Sequence, residues 1–250
     1  MGEFCPSMTT SLALSDFDFA LPRELIAQHP AAERSAARLL DAAAEAGIGR
    51  FVHVSSLAAR EPGLSLYGAS KARSEALVAA NPLSFAIVRP PAVYGPGDRE
   101  TLELFRMAKR GLVLLPPRGR LSLIHADDLA RLLLALAVRE APSGVTIEPD
   151  DGRPGGWTHA EFAAALGQAL GTRPLALSAP RFAVSLGARV DRLVRGSGAK
   201  LTPDRAAYFC HPDWVVDPTR AAPPSLWRAT IPTPQGLADT AQWYRGAGWL

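Results

Sequence analysis

Short apolar runs of strand length alternate with helix-length segments through the middle of the chain, and this alternation limits the fold more than any other feature. Phe51–Ser56, Leu83–Arg89 and Leu121–His125 are the strand-length runs. Ser70–Ala80 and Ala126–Arg139 read as helices, the first stopped by Pro82 and the second opened by Asp127 and Asp128. A strand that is apolar throughout is buried on both faces, and strands joined through a helix pair in parallel, so the pattern predicts parallel βαβ units. Upstream, Ala31–Gly47 is rich in alanine, leucine, glutamate and arginine, all good helix formers, and Gly47 stands where a left-handed cap is wanted. Downstream the chain reads as mostly helical. Thr158 and Glu161 make a capping box for a helix through Leu170, Ala179–Arg195 is amphipathic, and Leu237–Arg245 forms the last helix.

Composition narrows the partners. The 27 basic and 24 acidic residues leave a net charge of +3, and only Lys71, Lys109 and Lys200 are lysines. No basic run forms a stripe for a phosphate backbone, so no nucleic-acid partner is expected. The longest strongly apolar stretch, Leu132–Val138, falls far short of the roughly 20 residues that cross a bilayer, so no membrane partner is expected either. Two cysteines, Cys5 and Cys210, make no disulfide framework. Met1–Leu12 has neither the basic start nor the apolar core of a signal peptide, and a cytoplasmic protein is the expectation. Met1–Thr10 reads as a disordered tail. Asp16–Phe19 reads as a short strand, and Pro22 opens a helical turn.

The chemistry concentrates in Ser56, Tyr67 and Lys71. Tyr67-Gly-Ala-Ser-Lys71 places a phenol and an ammonium four residues apart, on one face of a helix start. A neighbouring ammonium favours the phenolate and lowers a pKa of about 10 in isolation, which makes Tyr67 usable as an acid or base near neutral pH. A serine hydroxyl at the end of the preceding strand is placed to hold a substrate oxygen.

Four blocks occur in order: Phe51–Ser56, Tyr67–Lys71, Val88-Arg-Pro-Pro-Ala-Val-Tyr-Gly-Pro-Gly-Asp98 and Ile124-His-Ala-Asp-Asp-Leu129. Together they resemble the second half of an extended short-chain dehydrogenase/reductase of the NAD-dependent epimerase/dehydratase group. The resemblance implies a Rossmann-like parallel sheet with a C-terminal substrate lobe, NAD or NADP as cofactor, and a small-molecule substrate. It implies that Tyr67 transfers the proton, that Lys71 holds the nicotinamide ribose and tunes Tyr67, and that Ser56, or Ser55 in its place, holds the substrate oxygen. Pro90, Pro91, Ala92 and Val93 are the implied backbone lining of the nicotinamide. Many sugar-nucleotide epimerases carry asparagine where this chain has Ala92, which points to a less polar substrate.

The other half of a dinucleotide site is not legible. The first 50 residues contain only Gly2, Gly47 and Gly49, none of them in a glycine-rich turn after a strand. The expected fold is therefore a truncated Rossmann-like α/β sheet lacking its first strands. Phe51–Ser55 would lie on an open edge that invites oligomerisation or aggregation. Leu14–Leu40 resembles instead the N-terminus of the S-adenosylmethionine:tRNA ribosyltransferase-isomerases, and a fusion follows from the two likenesses. The expected divisions are a tail at 1–10, the ribosyltransferase-like segment at 11–40, a partial NAD(P)-binding domain at 41–145 and a substrate lobe at 146–250. The function implied is NAD(P)-linked epimerase, dehydratase or reductase chemistry, impaired by the missing half, with a non-catalytic fusion product as the alternative.

Other candidates have plainer readings. His53 alternates with apolar neighbours as a packed or edge histidine does. Asp127 and Asp128 complement a helix N-terminus more simply than they ligate a metal beside His125. Arg118 and Arg120 are solvated or meet a phosphate, while Trp214 and Asp217 border a substrate cleft or anchor the C-terminal lobe.

Overall fold

The computed structural model describes residues 35–138, 142–196 and 202–250. The expected tail, the Asp16–Phe19 strand and the turn at Pro22 lie outside the described residues. In chain order the first elements are α1 (Ser35–Glu45), β1 (Phe51–Val54), a 3-10 turn (Leu57–Arg60), α2 (Leu66–Ala79), β2 (Phe85–Val88) and β3 (Ala92–Tyr94). There follow α3 (Leu102–Lys109), β4 (Leu112–Leu115), β5 (Arg120–Leu121), β6 (Leu123–His125), α4 (Ala126–Val138) and β7 (Val145–Ile147). The C-terminal part holds β8 (Trp157–Thr158), α5 (His159–Leu170), β9 (Leu175–Ser178), α6 (Arg181–Arg195), α7 (Pro203–Phe209), β10 (Asp213–Trp214) and α8 (Thr233–Gly246).

The α/β class expected from the alternation is the one observed. β1, β2 and β7 form a parallel sheet in that order, with Val54 opposite Val88 and Val88 opposite Ile147. The alternation of side chains along β2 covers both faces of this sheet. Ala86 and Val88 pack with Leu132 and Leu136 of α4, while Ile87 packs with Leu40 of α1 and Val78 of α2. Two further parallel pairs, β3 with β6 and β4 with β9, stand beside it, and the one antiparallel pairing among the described residues joins β5 to β8. Among the described residues β1 ends its sheet, as the sequence led one to expect.

A second core lies under the C-terminal helices. Phe105, Val113, Phe162, Leu166, Leu237 and Tyr244 form its buried centre, and it draws α3, α5 and α8 together. Its outer strands are less well covered. In the β4–β9 pair Leu112 faces Leu175 and Leu114 faces Leu177, and all four are exposed.

Side-chain caps account for the starts of α2, α5 and α7. The capping box of Thr158 and Glu161 is formed, and Gly171 closes α5 in a left-handed conformation. α2 begins four residues earlier than expected because Ser65 caps it, its hydroxyl accepting from the Gly68 N–H at 2.9 Å. The eight-residue α3 and the strands β4 and β9 carried no comparable signal. Thr101, at the start of α3, makes no side-chain cap.

Gly236 is where α8 comes closest to the strand layer. A Cβ at this position would meet the Tyr94 hydroxyl at 2.7 Å and both His125 and Ile231 at 3.0 Å. Tyr94 and His125 are buried in edge-to-face contact and have no room to yield. Gly236→Ala is therefore expected to destabilise the fold by about 2 kcal/mol through overpacking, despite alanine's better helix propensity. Urea unfolding followed by circular dichroism measures the difference.

Candidate active site

The site forms at the carboxyl ends of β1 and β2. Tyr67 is the second residue of α2 and is half exposed, at 50%. One turn later, Lys71 extends its ammonium to the Val54 carbonyl at 3.0 Å, and the same Nζ lies 5.9 Å from the centre of the Tyr67 ring. The lysine is thus held between the last carbonyl of β1 and the phenol, a placement that sequence spacing alone could only suggest. The 3-10 turn after β1 brings in the next groups. Ser56 caps that turn, accepting from the Ala58 N–H at 3.2 Å, and the Leu57 N–H donates to the Pro90 carbonyl at 3.1 Å. Pro90 is buried, Pro91 and Val93 are partly buried, and Ala92 is exposed where the chain enters β3.

The two serines have separate surroundings. Ser55 is buried and donates to the Glu75 carboxylate, which also receives two hydrogen bonds from Arg89, at 2.9 and 2.6 Å. Arg89 turns its other arm to Glu148 at 3.3 Å, and Glu148 in turn accepts from Arg60 at 3.2 Å and from the Asp217 N–H at 2.9 Å. Arg60 also donates to the Val215 carbonyl at 2.9 Å. This buried network of two carboxylates and two guanidiniums joins the ends of β1, β2 and β7 to the chain segment after β10. Burial alone would raise the Glu75 carboxyl, but the hydrogen bonds from Arg89 and Ser55 and the Arg89 charge outweigh it and hold the group below its ordinary value. Glu75, Arg60 and Glu148 were not singled out from the sequence. Arg89, at the end of an apolar strand run, was the one visible hint.

The remaining candidates resolve into structural roles or neighbours of the site. His53 bonds to Ser74 at 3.0 Å, and burial, with the nearby Lys71 charge, lowers its pKa. Arg120 is held by the Gly155 and Gly156 carbonyls. Asp128, at the start of α4, accepts from the Thr230 and Ile231 N–H groups at 3.0 Å each, and its own carbonyl accepts from the Trp227 indole. Asp127 is exposed, with its carboxylate 3.8 Å from His125 Nδ1. Trp214 lies against Tyr208 and His211 and donates to the Tyr208 carbonyl at 3.0 Å. Tyr208 itself was missed, and its position on α7 matters. Burial raises its phenol, and the Tyr67 phenol is close enough to raise it further.

For a nicotinamide cofactor these residues fit one end. Lys71 is fixed by main chain beside a half-exposed phenol, and the exposed backbone at Ala92 lies next in line from Pro90. Tyr67, Lys71 and the main chain of Pro90–Val93 would hold the nicotinamide and its ribose. No glycine-rich strand-to-helix turn for a pyrophosphate occurs among the described residues.

The network has a pH signature. A folded-state carboxyl held below its ordinary value of 4.5 stabilises the fold above that pH, and the contribution is lost as pH falls through the folded value. Glu75→Gln should therefore cost about 3 kcal/mol at neutral pH, because Arg89 loses its charged partner in a buried setting. It should also make stability fall less steeply with acidification below about pH 4.5. Chemical denaturation of both proteins at several pH values measures both effects.

With the geometry established, similarity to known proteins gives it a family. The profile of the NAD dependent epimerase/dehydratase family matches residues 29–147. The ceramide reductase of Caulobacter vibrioides is 39% identical over 226 residues, covering 86% of this chain and 68% of that protein. A separate short stretch is 66% identical over 38 residues to the S-adenosylmethionine:tRNA ribosyltransferase-isomerase of Herminiimonas arsenicoxydans, 15% of this chain and 11% of that enzyme. Among solved structures, gox2253 superposes with a TM-score of 0.67 at 20% identity, over 86% of this chain and 72% of that one. MoeE5, in complex with UDP-glucose and NAD, superposes with a TM-score of 0.62 at 22% identity, over 85% and 70%. These two share the fold. Identity to the reductase runs from the sheet into the C-terminal lobe, and this chain belongs to the NAD-dependent epimerase/dehydratase family.

Proposed function

We propose that the chain is an NAD(P)H-dependent reductase of a ceramide-like ketone. The observation that carries the reading is the Lys71 ammonium, fixed by the Val54 carbonyl at 3.0 Å and set 5.9 Å from the Tyr67 ring at the mouth of the parallel sheet. The 39% identity to a ceramide reductase and the small apolar Ala92 favour reduction of a lipid ketone over chemistry on a sugar nucleotide. The bound dinucleotide would supply a hydride to the carbonyl carbon. Tyr67 donates its phenolic proton to the carbonyl oxygen, which stays bonded to that carbon and becomes the hydroxyl of a secondary alcohol. Lys71, held by the Val54 carbonyl, sets its positive charge beside the ring that carries the phenolate formed in that step. Ser56 orients the substrate oxygen, and Ser55, tied to Glu75, holds the strand end beneath it. The lobe from residue 146 onward acts as the substrate lobe.

One observation favours a second reading, a non-catalytic chain that only binds partners. β1 ends the sheet among the described residues, and the sequence before it has no glycine-rich turn. Calorimetric titration of NADH and NADPH into the monodisperse protein separates the two. The reductase reading expects binding of one of them, and loss of NAD(P)H-linked ketone reduction by at least about 100-fold in Tyr67→Phe with cofactor affinity kept. A folded sample that binds neither dinucleotide overturns it in favour of the second reading.

A further inference from the structure

α6 has the composition of a buried helix on a face that no other described residue buries. Phe182, Leu186, Val190, Leu193 and Val194 recur at helical spacing and are 74%, 58%, 50%, 85% and 77% exposed. Monomeric proteins rarely leave a contiguous apolar stripe of this kind in water. The opposite face accounts for the helix's attachment. Ala188 is buried where α6 packs on α7, and Arg181 donates to the Cys210 carbonyl at 3.0 Å. The stripe is therefore a surface of the folded protein and not a gap in its core.

Charge selects the occupant. The segment Arg181–Arg195 contains four arginines and one aspartate, a net +3 in 15 residues and as large as the net charge of the whole chain. A broad apolar stripe with a concentration of arginine is what the interface of an anionic bilayer accommodates, acyl chains taking the stripe and headgroup phosphates the guanidiniums. A second protein copy carrying the same net charge would meet repulsion instead. The helix is too short to cross a bilayer, and no helix among the described residues is long and apolar enough to do so.

We propose that α6 docks the protein on the surface of an anionic membrane. This goes beyond the reaction proposed above and is read without any turnover. The docked helix lies against α7.

Co-sedimentation with vesicles tests the proposal, using phosphatidylcholine alone and phosphatidylcholine mixed equally with phosphatidylglycerol. The full chain should pellet with the mixed vesicles, and about tenfold less with phosphatidylcholine alone or at about 0.5 M salt. Leu186→Glu with Leu193→Glu should abolish pelleting with an unchanged thermal melt, because both side chains already face solvent. Arg189→Glu should weaken it about tenfold. Pelleting that survives the double glutamate variant, or no pelleting of the full chain at low salt, overturns the proposal. So does light scattering that finds a dimer which the same variant converts to monomer, since the stripe would then lie between two copies.

Discussion

Arg89 is the point on which the site depends. It closes β2, the middle strand of the main sheet, and its guanidinium holds Glu75 on one side and Glu148 on the other. Through Glu75 it reaches Ser55 at the end of β1, and through Glu148 it reaches Arg60 and the chain at Val215–Asp217. Buried charges are costly unless each is paired and hydrogen-bonded, and here the two carboxylates and two guanidiniums satisfy one another. The arrangement fixes three strand ends and the crossing C-terminal segment in a single geometry. Removing one partner alone would leave an uncompensated buried charge among these elements.

Tyr67 and Lys71 stand on the helix that this network anchors. Glu75 is one turn beyond Lys71 on α2, so the carboxylate that binds Arg89 and the ammonium that binds Val54 secure the same helix to the sheet at two places. The serines at the end of β1 are divided between the two tasks, Ser55 facing the network and Ser56 the turn below the site.

The parts legible in the sequence were those whose causes are local. The parallel sheet follows from apolar runs separated by helices, the start of α5 from Thr158 and Glu161, and the Tyr67–Lys71 pair from its spacing. Residues whose role depends on distant partners were invisible. Glu75 reads as an ordinary helix surface residue until Arg89, 14 positions on, is folded against it, and Glu148 lies 88 positions from Arg60. Tyr208 gives no signal at all, because the partner it packs against, Trp214 of β10, is on a different element. α3 and β4 were illegible for another reason: each is short, and their packing against α5 and α8, rather than any cap or periodicity, holds them in place.

The latch at Asp128 bears on the order in which the chain can assemble. Its carboxylate sits at the start of α4, yet the amides that satisfy it lie 102 and 103 residues downstream, and the adjoining Leu226 and Trp227 seal one face of the main sheet. During synthesis the sheet and α4 leave the ribosome long before their cover exists. In that interval the sheet and α4 hold a half-built core with one wet face, and the segment carrying Leu226 and Trp227 is what closes that face to water. Because the contact spans more than 100 residues, the core on this side of the sheet is non-local in sequence and forms only once distant parts of the chain have met.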